Sequence, residues 1–212
     1  MTPFTLVGKG LTKRYGSRTV FEDINVECSN GMVLGIFGPN GSGKSTLLKI
    51  LAGILRPDSG TVLRPPSSVL RSPSSVGLVA PYLNIYDEFT PIELLELLCR
   101  LHGTMINKVT IDETLERVGL SARANDLVRT FSSGLRQRTI LALAVHLEPA
   151  LLMLDEPTVT LDDAGREIVK NEIARQRARK GITVIATNDE REKALCDHFI
   201  NIAPHVATVS QS

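Results

Sequence analysis

The chain has 212 residues, enough for one substantial domain, with 42% apolar and 22% charged residues and a formal net charge of +1. Those proportions match soluble globular proteins and exclude a disordered chain or an integral membrane protein. The near-neutral charge gives no basic surplus of the kind that drives phosphate-backbone binding, so no nucleic acid partner is expected.

The opening MTPFTLVGKG has no charged head before a long apolar core, so it does not read as a secretory signal, and a cytosolic location is expected. FTLVGKGLTKRY and TVFEDINVEC read as short strands and GMVLGIFG as a buried one. After Lys44, STLLKILAGIL spaces its leucines and isoleucines as a helix does, and Pro57 and Gly60 are expected to end it. RPPSSVLRSPSS, Arg64 to Ser75, reads as an exposed loop. At Thr90 a capping threonine, a proline at the first helical position and Glu93 three residues on form the pattern of a capping box, and IDETLERVGL continues helical.

The last third alternates: a helix at about 133–147, the strand LLML, a helix at about 164–179, the strand TVIAT, a further helix and FINIAP. This βαβ order predicts a parallel α/β sheet with a helical insertion ahead of it. The most apolar run, TILALAVHLEPALLML, is broken by His146, Glu148 and Pro149 before the roughly 20 residues a membrane helix needs. Cys28, Cys99 and Cys196 are far apart and in no paired spacing, which predicts reduced, buried thiols.

Gly38-Pro39-Asn40-Gly41-Ser42-Gly43-Lys44-Ser45 matches GxxxxGK[ST], and it lies between a predicted strand and a predicted helix as that motif requires. Glycines let successive N–H groups converge on phosphate oxygens, and the helix N-terminus, with Thr46 behind Ser45, favours the anion. Lys44 would supply a point charge to the β and γ phosphates, and Ser45 a hydroxyl to Mg²⁺. LLMLDEP ends a strand in Asp155 and Glu156, at the carboxyl edge where parallel α/β sheets hold ligands. Asp155 would hold Mg²⁺, and Glu156 would polarise a water for attack on the γ-phosphate, so nucleotide hydrolysis is the implied reaction.

With these motifs in order, the chain resembles the ATP-binding cassette (ABC) ATPases over nearly its whole length. FSSGLRQR is similar to the family's Leu-Ser-Gly-Gly-Gln signature, with Phe131, Ser132, Ser133, Gly134 and Leu135 in its five places. The resemblance implies an α/β P-loop nucleoside triphosphatase fold of the ABC type: a RecA-like core, an N-terminal antiparallel β part and a helical subdomain. It implies one domain, with the core and β part at about 1–88 and 139–212 and the helical subdomain at about 89–138.

It also implies ATP and Mg²⁺ as ligands, Tyr15 stacked on adenine, and Ser132 and Gly134 reaching the γ-phosphate held by the facing subunit of a head-to-tail homodimer or heterodimer. Leu161 and Asp162 in TVTLD match the loop that meets the facing subunit, or Asp162 is a plain helix cap. The function implied is the motor subunit of a transporter, peripheral on the inner face of the cell membrane beside a separate transmembrane permease. The compact insert looks similar to the small ATPases of haem exporters. A soluble ABC ATPase working on DNA or ribosomes is the alternative, though such proteins usually carry a longer insert than Lys44 to Arg138 leaves room for. A slow or silent nucleotide switch is another.

Two positions depart from the family pattern. Pro81 stands where a glutamine normally reaches the metal, with Tyr82 and Asn84 near enough to replace it. Asn188 stands where a histidine normally touches the γ-phosphate; an amide can donate a hydrogen bond but cannot be charged, so hydrolysis is expected to be slow but present. Asp189 and Glu192 read as the capping box of the next helix, which leaves a turn residue as the plainer reading of Asn188.

Overall fold

The structure is a computed structural model that describes residues 4–64 and 76–203. Of the serine- and proline-rich loop expected from Arg64 to Ser75, all but Arg64 lies outside the described residues. The first two strands, β1 (Thr5–Tyr15) and β2 (Arg18–Ser29), are not short: they form a long antiparallel ladder with several register shifts, one beside Gly10. With β4 (Ser59–Leu63) on the other edge they make a three-stranded sheet in the order β2-β1-β4.

The second sheet is parallel throughout, in the order β5-β6-β7-β3-β8, from β3 (Val33–Phe37), β5 (Val76–Val79), β6 (Leu151–Asp155), β7 (Ile182–Thr187) and β8 (His198–Asn201). Its three central strands are buried along their whole length, as expected of a sheet covered on both faces. The strand period of two sends Leu151 and Met153 of β6 into the core under the antiparallel sheet, and Leu152 and Leu154 into the core under the helices. Each such fully buried side chain contributes about 1.5–3 kcal/mol.

Helix α1 (Lys44–Ala52) lies between the two sheets and buries Leu47, Leu48, Ile50 and Leu51 completely. It ends at Gly53, in the left-handed region at φ 84°, and not at Pro57 or Gly60. Gly60 instead lets β4 lie against β1, because a Cβ there would stand 2.4 Å from the Gly10 carbonyl oxygen.

On the other face of the parallel sheet, α4 (Ser133–His146) packs on β5 and on α2 (Pro91–Leu101) and α3 (Lys108–Arg117). The box expected at the start of α2 is complete: Thr90 Oγ1 accepts from Glu93 N, and Glu93 Oε2 accepts from Thr90 N at 2.8 Å. Thr90→Ala should cost about 1 kcal/mol of folding stability. An unchanged urea midpoint would mean that the cap carries no weight.

The last two helices are α5 (Asp163–Ala178) and α6 (Glu190–Lys193), the latter a single turn. Asp189 caps α6 through Arg191 N at 2.9 Å. The expected box does not close there, because the Glu192 side chain turns inward and is 5% exposed. Cys28 and Cys99 are buried free thiols as expected, and Cys196 is half-buried. Among the described residues no helix is long and apolar enough to cross a membrane.

Candidate functional site

The carboxyl ends of β3, β6 and β7 lie side by side, because Phe37 pairs with Thr187 and Asp155 with Ala186. That register brings the phosphate-loop residues, the acidic pair and Asn188 to one edge. The loop from Gly38 to Gly43 joins β3 to α1, and Gly38, Gly41 and Gly43 all have positive φ. Gly43 is the residue before α1, and a Cβ on it would lie 2.5 Å from Val20 Cγ1, so β2 closes over the loop only because a glycine is there.

Lys44 is 6% exposed, and its Nζ donates to Gly38 O at 2.9 Å and Pro39 O at 3.4 Å. The same Nζ is 3.4 Å from Glu156 Oε1. A cavity of about 450 Å³ opens above, lined among others by Tyr15, Arg18, Lys44, Ser45, Thr46 and Glu156. Asn40, Gly41 and Gly43 also line it, and Ser42 Oγ is buried below without a hydrogen-bond partner. Tyr15 is 56% exposed at the rim, with Lys13 Nζ 5.4 Å from its ring centroid, and an exposed aromatic ring is the kind of surface that stacks on a planar base.

Asp155 is 1% exposed and neither carboxylate oxygen has a hydrogen-bond partner. Burial raises its pKa; the Ser45 hydroxyl lies near enough to pull it down without forming a bond of ordinary geometry, and the lysines 44 and 49 add to that pull. A buried carboxylate left in this condition is unfavourable unless a cation or a donor meets it. Ser45 and Glu156 line the cavity and Asp155 is buried just behind them; two partnerless carboxylate oxygens close to a serine hydroxyl are a donor set that fits Mg²⁺, which takes one or two protein oxygens and completes its shell with water and phosphate.

Glu156 sits at φ 46°, a left-handed conformation held by its N–H bond to Ala186 O at 2.8 Å, and its Oε2 accepts from Thr187 Oγ1 at 3.4 Å. Asn188 is exposed at the end of β7, and its Nδ2 donates to Asn40 Oδ1 at 3.1 Å. The amide is thus bonded across to the phosphate loop.

Pro81 and Tyr82 occupy the middle of a turn closed by Leu83 N to Ala80 O at 3.1 Å, which explains a proline where a polar side chain was expected. Tyr82 is on the site side of that turn: Lys49 Nζ stands 3.8 Å from its ring centroid. Burial, and then the charge of Asp155, push its hydroxyl up to about 12. Asn84 is exposed.

Ser132 and Gly134 are elsewhere. Ser132 caps α4, its Oγ accepting from Leu135 N at 3.3 Å, while Phe131 is buried in the core. A second cavity of about 320 Å³ is lined by Ser132, Ser133, Gly134, Arg138, Thr160 and Asp162 and shares no lining residue with the first. Asp162 caps α5 through Gly165 N at 2.8 Å and pairs with Arg138 at 2.9 Å. Sequence reasoning missed Lys49, Thr158 and Thr187, for which no local motif gives a signal. It misassigned Glu192, whose partner is 34 residues away.

A parallel α/β sheet with a phosphate loop before α1 and an acidic pair ending the neighbouring strand defines a P-loop nucleotide-binding protein. The family described as ABC transporter matches residues 21–159, and the chain belongs to it. The chain is 36% identical over 200 residues to the ABC transporter ATP-binding protein YdbJ of Bacillus subtilis (strain 168), covering 92% of this chain and 65% of that protein. It is also 36% identical over 191 residues to the daunorubicin resistance ATP-binding protein DrrA3 of Streptomyces coeruleorubidus, covering 87% and 60%. The chain therefore spans less than two thirds of the length of either relative. Among solved structures, a dimeric ATP-binding cassette in a post-hydrolysis state with ADP and Pi superposes with a TM-score of 0.81 at 22% identity, covering 95% of this chain and 97% of that one.

Proposed function

We propose that the chain is the ATP-binding and ATP-hydrolysing motor subunit of an ABC transporter, acting on the cytoplasmic face of a membrane beside a separate membrane-spanning subunit. The observation that carries this reading is the buried, partnerless Asp155 carboxylate close to Ser45 and the Lys44 cradle, a donor set that suits a metal-bound polyphosphate. The loop N–H groups of residues 40–46 and Lys44 hold the phosphates, Tyr15 holds the base, and Ser45 and Asp155 hold Mg²⁺. The metal, when bound, neutralises charge on the phosphate oxygens. Glu156 accepts the proton of the attacking water, and Asn188 donates to the γ-phosphate end. Ser132 and Gly134 serve the site of a facing chain, so that two chains close head to tail over ATP. ATP turnover by the purified chain, with Glu156→Gln as the blank, tests the reading. Co-purification from detergent-solubilised membranes identifies the partner.

A second reading, a slow nucleotide switch, draws on Pro81 and on the neutral Asn188. Asn188→His separates the two. On the motor reading it raises turnover by about tenfold, because an imidazole can carry charge at the γ-phosphate where an amide cannot. An unchanged rate would return Asn188 to a bridge that only holds Asn40.

A further inference from the structure

Glu192 is a buried carboxyl that the proposed chemistry leaves unused. It lies on α6, a single turn too short to hold its own position. Its Oε1 accepts from Thr158 Oγ1 at 2.5 Å, and its Oε2 is buried without a partner. Burial is the main influence on the carboxyl and raises its pKa; the Thr158 hydroxyl opposes it, and the charges of Glu156 and Asp189 add to the rise. Burying such a group is costly, so a cheaper cap or an apolar residue would serve α6 better if Glu192 did nothing but anchor the helix.

What the bond joins is specific. Thr158 stands two residues after Glu156, and Glu192 four residues after Asn188. A second tie runs parallel to it: the Thr187 hydroxyl donates to Glu156 Oε2 at 3.4 Å and accepts from Asp189 N at 3.0 Å. Glu156 and Asn188 come from the ends of different strands, and the segments that carry them are clamped on both sides by these two bonds.

We propose that Glu192 is a positioning residue: through Thr158 it holds the loop carrying Glu156 against the segment carrying Asn188, so that the carboxylate and the amide are set together at the reacting end of the site. This rests on the ATPase reading above. It makes Glu192 a determinant of turnover, not of ATP affinity, because neither it nor Thr158 lines the phosphate-loop cavity.

The test compares Glu192→Ala, Glu192→Gln, Thr158→Val and the double variant Glu192→Ala with Thr158→Val, with thermal melting to verify folding. Glu192→Ala and Thr158→Val should each lower kcat by about tenfold or more while KM for ATP stays within about twofold. Glu192→Gln, which keeps an acceptor for Thr158, should recover most of the rate, and the double variant should be no slower than the slower single one. Unchanged kcat in folded Thr158→Val, a Gln variant as slow as the Ala variant, or a rise in KM at constant kcat would each overturn the proposal. If the unaltered chain binds ATP without turnover, the function reading fails on its own, and the clamp is then read by amide hydrogen exchange. Thr158→Val should speed exchange in residues 156–159 and 187–193 together; faster exchange in one segment alone, or in neither, would overturn it.

Discussion

Lys44→Ala is expected to weaken ATP binding by at least about a hundredfold, equivalent to about 3 kcal/mol, the scale on which removing one partner of a buried charged contact is felt. Lys44 is almost wholly enclosed, and its ammonium already has three oxygens within 3.4 Å: two loop carbonyls and Glu156 Oε1. On the proposed reading, phosphate oxygens would take the place of those three. Alanine removes the cation, and among the described residues it also leaves Glu156 without an ion-pair partner, so the cavity, with only Arg18 left as a lining cation, attracts an anion less. Isothermal titration with MgATP measures the loss. Unchanged affinity would count heavily against the whole assignment of the site.

Glu156→Gln should leave ATP affinity nearly intact and lower turnover by about a hundredfold to ten-thousandfold, the range attributed to a general base. The substitution keeps the side-chain shape and an acceptor for Thr187, and it adds no branch at Cβ, so the left-handed backbone at φ 46° is undisturbed. What it removes is the capacity to take a proton from water. With hydrolysis blocked, MgATP should hold two chains together, and sedimentation should show a species of twice the mass. A persistent monomer would argue against the head-to-tail pairing and leave the chemistry of a single cradle standing.

The parts of the fold and site legible in the sequence were those written in contiguous residues. Gly38 to Ser45 could be read because strand, glycine turn and helix follow without interruption, and the Thr90–Glu93 box because its two bonds span one helical turn. Where a distant residue decided the outcome, the local signal misled. Gly60 looked like a helix stop, but what requires it is the Gly10 carbonyl on β1. Glu192 looked like half of a capping box with Asp189, but a hydroxyl 34 positions earlier took its carboxylate. The sheet order β5-β6-β7-β3-β8, which sets Asp155 and Asn188 beside the phosphate loop, is a matter of pairing between strands that no local period encodes. Ser132 and Gly134 were visible as a motif, yet only the fold revealed that they face a cavity of their own.

That separation of cavities bears on how the rate should scale. If each working site takes its cradle from one chain and its Ser132 face from another, no chain is competent alone, and in dilute solution turnover would rise with the square of chain concentration until pairs saturate. Tethering two copies to one membrane partner would remove that dependence and make the reaction first order in the assembly. A chain lacking Lys44 mixed with one lacking Ser132 would then regain one intact site in each mixed pair, so two inactive preparations would give activity on mixing.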